Sequence, residues 1–282
     1  MSPASATPEA SGPQAAGVVV RHIHELREFE QCMELERLVW ASSDADVVPL
    51  PIFVVAAHTG GQVLGAWDGG RMIGFTLSMT AFRQGRTALH SHMTAVLAEY
   101  RDRGVGRQLK LFQREDALAR GIGLVEWTFD PLELKNAYFN LERLGAVVRE
   151  FLPNAYGITT SPLHAGLPTD RLLAEWWLDS PRVRARCSGG FTPPHSPEAG
   201  AVGPASRISV PVGIGELKKT NPAEAARIQS DIREQFQDSF ARGLVVTGME
   251  INQNTGDYLL EPLSDPQAAA CPESAAEGRG ER

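Results

Sequence analysis

Apolar and polar positions divide this chain into short elements. Val18–Arg21 reads as a strand, and Glu25 to Trp40 as a helix, with Leu26, Phe29, Met33, Leu35 and Trp40 near helical spacing and acids in the first turn. Pro51 suits the first turn of a brief helix over 52–57, where the N–H it lacks would have no helical partner anyway. Gln62–Trp67 and Arg71–Met79 flank the turn-forming Asp68-Gly69-Gly70 and predict a hairpin. Thr87–Leu97 is a third strand. A helix follows from about Gly104 to Arg120, with Val105, Leu109, Phe112 and Leu118 on its apolar side and Gly121 closing it. Leu124–Phe129 is a strand stopped by Asp130-Pro131; Asn136–Leu144 is a short helix ended by Gly145; Ala146–Leu152 and Arg171–Leu178 are strands. This alternation predicts an α/β sheet with a crossover helix, and the absence of a fixed-period repeat excludes solenoids and propellers.

Composition sets the domain limits. Of the 282 residues 43% are hydrophobic, but Gly and Pro crowd into 1–16, 188–206 and 262–282, which are poor in aromatics and large aliphatics. Such stretches cannot bury enough surface to offset ordering entropy and are expected to be disordered tails and a linker. One domain is then expected over 17–187, and a small α+β extension over 207–261. The extension holds a strand at Ile208–Ile214, a helix at Pro222–Arg242 and a hairpin of Leu244–Ile251 with Asp257–Leu260. Ile228, Ile232, Phe236 and Phe240 give that helix an apolar face suited to a core or a subunit interface. About 55 residues alone are marginal, so the extension is expected to pack on the first domain or on a partner subunit, as in a homodimer.

The formal charge of −7 and the lack of a basic face argue against nucleic acid. The beginning of the sequence lacks the basic and apolar regions of a signal peptide, and the longest strongly apolar stretch, Val47 to Ala57, is too short to span a bilayer. Cys32, Cys187 and Cys271 stand at unrelated spacings and fit a reduced cytoplasm, with no membrane partner expected.

Chemistry concentrates in LHSHMTAVLAEYRDRGVGR at 89–107, a strand running into a two-glycine loop at the mouth of a helix. Free amides and a positive dipole at a helix N-terminus accept a phosphate or pyrophosphate, and Arg101, Arg103 and Arg107 add charge there. No Walker A lysine is present, and Leu109 stands where a dinucleotide fingerprint needs a small residue. The [QR]-x-x-G-x-[GA] loop of acyl-coenzyme A binding fits over Arg101–Gly106.

With A-V-L-A-E-Y-R-D-R-G-V-G-R-Q-L at 95–109 and N-A-Y-F-N-L-E-R-L-G-A at 136–146, residues 17–180 resemble the GNAT superfamily of acyl-CoA N-acyltransferases. H-S-H-M, W-T-F-D-P and L-P-T-D-R-L-x-x-E-W further resemble a bacterial subgroup labelled only as predicted acetyltransferases. The resemblance implies the GNAT fold, a mixed, mostly antiparallel sheet flanked by helices, and acetyl-CoA or another acyl-CoA as co-substrate. It implies that amides of Arg103, Gly104, Val105, Gly106 and Arg107 hold the pyrophosphate, that the main chain of Ala95, Val96 and Leu97, splayed by a bulge, pairs with pantetheine, and that Asn136 touches the cofactor. Where many members carry a thiolate-protonating tyrosine, this chain has Leu141, which leaves Tyr138 or a water for that role.

Acyl transfer to an amine also needs a base. Glu126 is the first candidate, the alternative being an exposed strand carboxylate in an ion pair. His90 and His92 share a strand face, as base and substrate contact or as half-buried sheet residues. His22 and His24 add a second H-x-H, but without companion ligands no metal is expected. Arg171 and Trp177 share a face of a late strand and suit an acceptor carboxylate, or else form a solvated row. The expected activity is transfer from acyl-CoA to a small-molecule primary amine in a ternary complex, with succinyl transfer to amino acids and a non-catalytic acyl-CoA sensor or assembly module as alternatives.

Overall fold

The computed structural model describes residues 17–40, 46–83, 85–157, 166–188 and 204–262. The tail expected at 1–16, residues 263–282 of the tail expected at 262–282, and residues 189–203 of the linker expected at 188–206 lie outside these; Pro262 ends a strand, and Ser206 begins one. The described residues fall into two compact units that divide between Ile122 and Gly123.

In the first unit, β1 (Val19–His22), β2 (Gln62–Asp68), β3 (Arg71–Arg83) and β4 (Arg86–Val96) form antiparallel neighbours in that order. The hairpin expected around Asp68-Gly69-Gly70 joins β2 to β3. Helices α1 (Leu26–Trp40), α2 (Leu50–His58) and α3 (Val105–Ala119) complete the unit. Successive residues of β3 point to opposite faces. On one face Phe75 meets Phe53 of α2 at 5.9 Å between rings, and Phe53 meets Phe29 of α1 at 6.1 Å. On the other, Ser78 accepts a 2.6 Å hydrogen bond from Gln113 of α3. Helices therefore cover both faces. Leu26, expected on the apolar side of α1, is 59% exposed. Glu28 and Glu36 are buried instead, Glu28 accepting from Arg21 and Glu36 from the Val48 amide.

The buried face of α3 departs further from expectation. Val105 and Leu109 are buried, but so are Lys110 and Gln113, while Phe112 and Leu118 are only half-buried. Lys110 Nζ donates to Ser91 Oγ at 2.8 Å and to Gln113 Oε1 at 3.0 Å. One turn on, Asp116 accepts from Gln62 at 2.6 Å, from Arg120 at 3.0 Å, and lies 3.0 Å from His22 Nε2. A polar ladder thus replaces part of the expected apolar stripe.

The second unit holds β5 (Leu124–Phe129), α4 (Leu134–Tyr138), β6 (Val147–Leu152), β7 (Arg171–Trp177), α5 (Pro181–Cys187), β8 (Ser206–Pro211), α6 (Ile214–Thr220), α7 (Pro222–Ala241), β9 (Leu244–Ile251) and β10 (Thr255–Pro262). Its strands are ordered β5-β7-β6-β9-β10-β8, and these pairings are antiparallel. The last three strands therefore extend the sheet begun by β5–β7, through Val148 of β6 opposite Val246 of β9. Arg233 of α7 grips the buried Asp170 with two bonds of 2.9 and 3.0 Å, Lys218 of α6 pairs with Asp130, and the Tyr258 hydroxyl donates to Pro131 O at 2.7 Å. Phe236 stacks on Phe151 and meets Tyr258 edge-on. The apolar face of α7 is a core face.

Three local expectations change. The strand expected over 208–214 ends at Pro211, and Ile214 instead begins α6. Residues 181–187, left unassigned by periodicity, form α5 behind a Ser180 cap. The helix expected over 136–144 begins at Leu134 and widens after Tyr138 into a π turn over 139–143, where the Leu144 amide reaches back to Phe139 O at 3.0 Å. Gly145 follows at φ 78°, with Arg186 against the place a Cβ would occupy.

Burial pushes the Lys110 ammonium down to about 7. The unfolded chain titrates this group near 10.4, so as pH falls from about 10 to about 7 the unfolded state takes up a proton that the folded state refuses. Stability is thus expected to fall over that window and level off below it. Lys110→Met should flatten this slope and raise the melting temperature at pH 6.5 by a few degrees (about 2–4 °C per kcal/mol). Calorimetric melts from pH 6.5 to 10 check it, and an unchanged slope in the variant refutes it.

Candidate active site

The loop that opens α3 is built from backbone geometry. After β4, a single turn at Ala98–Tyr100 leads to Arg101, and the chain passes through Asp102 at φ 58° and Gly104 at φ 83° before the helix begins at Val105. Left-handed residues in such quick succession turn the chain sharply enough to aim the first helical amides outward. Gly104 occupies the cap position, and no side chain caps the helix, so the first-turn amides have no intrahelical acceptor. The turn is tied down from outside: Tyr100 donates to Asp68 at 2.8 Å, Arg71 pairs with Glu99, and Arg101 Nε donates to Val96 O at 3.3 Å. Arg101 and Arg103 are exposed, with Arg103 over the Tyr100 ring, while Arg107 is half-buried on α3.

The two glycines answer different needs. At Gly104 the positive φ excludes most side chains although the space is open. At Gly106 φ is ordinary, and a Cβ would meet only Val96 Cγ2 at 3.9 Å. Nothing in the protein requires a glycine there. What its absent side chain leaves open is the approach to the helix mouth, which suits a bulky anion.

Ala95 and Val96 lie in regular register opposite Phe75 and Gly74, and the Leu97 amide donates to Ile73 O at 2.9 Å. The bulge expected among these residues lies earlier: Ser91 opposes Ser78 and Met93 opposes Leu77, leaving His92 as the extra residue. His90 stands opposite Met79, half-buried. His92 keeps a solvent-facing edge, yet desolvation of its ring, aided by His90, holds its pKa below the ordinary imidazole range. A neutral imidazole at neutral pH can accept a proton. The other H-x-H pair is engaged differently, His22 stacking on His24 beside Asp116. Among the described residues no three His, Cys, Asp or Glu side chains gather as a metal site.

In the second unit, Glu126 is 3% exposed, which corrects the alternative of an exposed strand carboxylate. It stands directly opposite Glu175 of β7, so the two side chains share one face. Glu175 accepts from Trp177 Nε1 at 2.9 Å and pairs with Arg149 at 3.6 Å. On the same face, Thr128 and Tyr156 share a 2.8 Å hydroxyl hydrogen bond, and the Arg171 guanidinium lies 5.4 Å from the Tyr156 ring centre. Arg171 and Trp177 are six residues apart along β7, about 20 Å, so they do not contact one small ligand group. The opposite face carries the fully buried Leu172, Ala174 and Trp176. Asn136 is exposed on α4, Tyr138 is half-buried with Arg143 6.0 Å from its ring, and Leu141 is fully buried. Tyr156 escaped the sequence reading because it belongs to no motif, and Thr128 because W-T-F-D-P marked only a resemblance; strand parity alone would have put Thr128 beside Glu126.

The sequence matches no family model and no curated protein. Solved structures similar to the chain include an N-acetyltransferase from Staphylococcus aureus, at 14% identity over 58% of this chain and 99% of that one, with a TM-score of 0.48. Another is the ribosomal-protein-S18-alanine N-acetyltransferase of Escherichia coli, at 15% identity over 58% and 95% of the two chains and a TM-score of 0.45. A third is Naa50 of Arabidopsis thaliana in complex with a CoA-peptide bisubstrate analogue, at 13% identity over 57% and 98% and a TM-score of 0.45.

The contrast between the glycines is measurable without any ligand. Gly104→Ala should cost about 1 kcal/mol by forcing a side chain into positive φ, whereas Gly106→Ala should leave stability unchanged or raise it by up to about 1 kcal/mol, as Ala normally does inside a helix. Urea unfolding of both variants checks the pair. Equal destabilisation would mean that Gly106 answers a packing constraint of the protein.

Proposed function

We propose that this chain is a GNAT-type N-acyltransferase that moves an acyl group, acetyl in the first instance, from acyl-CoA to a primary amine by direct attack. The observation that carries the reading is the uncapped mouth of α3, with a glycine at 106 that the protein itself does not need. Amides of Arg103–Arg107 would hold the pyrophosphate, with Arg101, Arg103 and Arg107 supplying charge and the main chain of Ala95–Leu97 supplying the pantetheine contacts. Asn136 is assigned to the cofactor from α4. Among the described residues no helix is long and apolar enough to cross a membrane, and we place the enzyme in the cytoplasm.

The chemistry asks little of the protein beyond position. Glu126 takes the proton that the acceptor amine must lose, with His92 as the second proton acceptor. The amine lone pair forms the C–N bond as the C–S bond breaks, and the departing sulfur takes a proton. Leu141 has no proton to give, so Tyr138 is assigned that step. Holding two reactants together supplies much of the acceleration, and a placed base adds about 10²–10⁴-fold. No covalent enzyme intermediate is needed.

Isothermal titration with CoA should show binding that Gly106→Trp abolishes while its circular dichroism and melting stay near wild type. Unchanged affinity in that variant would sink the donor assignment. Thiol release from acetyl-CoA and succinyl-CoA against an amine panel separates the two donors, and CoA binding with no turnover on any pair would favour the sensor. Glu126→Gln should lower kcat by about 10²-fold or more; full activity from pH 6 to 9 would remove Glu126 as the base.

A further inference from the structure

The face of β5 and β7 that carries Glu126 continues into a second polar cluster. Thr128 lies two positions from Glu126 on that face and opposite Leu173, so Arg171, two positions beyond Leu173, is its diagonal neighbour. Tyr156 reaches across from the segment after β6 and bonds Thr128 Oγ1 through its hydroxyl at 2.8 Å. The Arg171 guanidinium lies 5.4 Å from its ring centre, and Tyr156 remains 54% exposed. Arg171 NH1 donates to Asp170 O at 3.1 Å. Asp170 is itself fixed by Arg233, and it accepts the Asn154 amide at 2.9 Å. The Arg171 guanidinium is thereby tied through NH1 to a main-chain carbonyl that buried structure holds in place.

A guanidinium tethered at one nitrogen has its plane restricted and keeps N–H groups that can take a carboxylate through two parallel hydrogen bonds. Of the neighbouring hydroxyls of Tyr156 and Thr128, one donates to the other, and the remaining O–H adds a donor of suitable reach. Along the strands, Glu126 and Arg171 are offset by four residues, about 13 Å between backbone positions. With the reach of a glutamate and an arginine side chain subtracted, that span matches a molecule the size of an amino acid or dipeptide. An acceptor bearing only amines would set ammonium against guanidinium.

We propose that Arg171, Tyr156 and Thr128 form a carboxylate subsite, and that the acceptor is a zwitterion, an amino acid or dipeptide, with its amine at Glu126 and its carboxylate at Arg171. The assignment rests on the transfer reaction proposed above. Trp177 has no part in the subsite, its indole N–H being directed to Glu175.

The test compares amino acids and dipeptides with their carboxamides, and with spermidine, using acetyl-CoA and the full chain. Thiol release should favour the acids about 10- to 100-fold in kcat/KM, mostly through KM, as expected when charge-assisted hydrogen bonds are lost. Arg171→Gln should erase that preference, and Tyr156→Phe, at an exposed position that does not threaten folding, should reduce it. Calorimetric titration of the same compounds, with and without CoA, reads the subsite independently of turnover. Acid binding that Arg171→Gln removes supports the subsite even if the chain fails to bind CoA, a result that would overturn only the donor reading. Carboxamides or spermidine matching the acids, a preference that survives Arg171→Gln, or no acid binding and no turnover would each overturn the subsite.

Discussion

A helix with a polar buried face can sit on its sheet in few ways, and α3 is such a helix. Apolar side chains tolerate a slide of an ångström; Lys110 on Ser91 and Gln113 on Ser78 do not. Leaving one of these groups without its partner costs about 1–3 kcal/mol, more for a charged one, so height and rotation of the helix are specified together. Two local geometries inherit that specification. The outward amides of the α3 mouth are five residues from Lys110, and Ser78 and Ser91 are the pair next to the bulge at His92. The ladder under α3 thus keys the uncapped helix mouth and the bulged strand to each other.

The second unit uses the same physics with full charges. Asp170, fully buried at the start of β7, is held twice by Arg233; Glu142, equally buried, accepts the Met249 amide at 2.8 Å and pairs with Arg186. Removing one partner of such a set strands a charge in low dielectric, which is far more costly than the pair is stabilising. The residues gripping these acids come from α5, α7 and β9, so the strand that carries Arg171 and the turn that follows Tyr138 depend on chain lying beyond them in sequence. Residues 204–262 are structural members of the unit that bears the proposed acceptor groups.

This explains what was legible beforehand. Elements set by local chemistry were: the turn at Asp68-Gly69-Gly70, β5 bounded by Asp130-Pro131, the α3 start at Gly104. Features set by partners distant in sequence were not. Lys110, Gln113 and Asp116 read as solvent-facing because polarity along one helix says nothing about the serines and glutamine waiting on β2, β3 and β4. The His92 bulge depends on the register of β3, and α5 hides in Pro-Arg-Val-Arg-Ala-Arg-Cys, whose lone Val183 gives no period. In the candidate site, the glycine loop was readable because backbone geometry advertises itself in sequence. The Thr128–Tyr156–Arg171 cluster was not, since its members come from two strands and an irregular segment.

The turn over 139–143 carries a chemical consequence. Asn140, Leu141 and Glu142 are all buried in succession, and the burial of Glu142 is satisfied by groups from β9 and α5. A residue placed at 141 is therefore drawn into the core by its neighbour's partners, whatever its type. A tyrosine there would have to bury its hydroxyl, and burial raises a phenol's pKa, as it does for Tyr258. Tyr138 stands before the turn, on the last regular residue of α4, and is half-buried with Arg143 near its ring. The widened turn and the leucine go together, and in the proposed reaction proton donation is assigned to Tyr138, the side chain that precedes them.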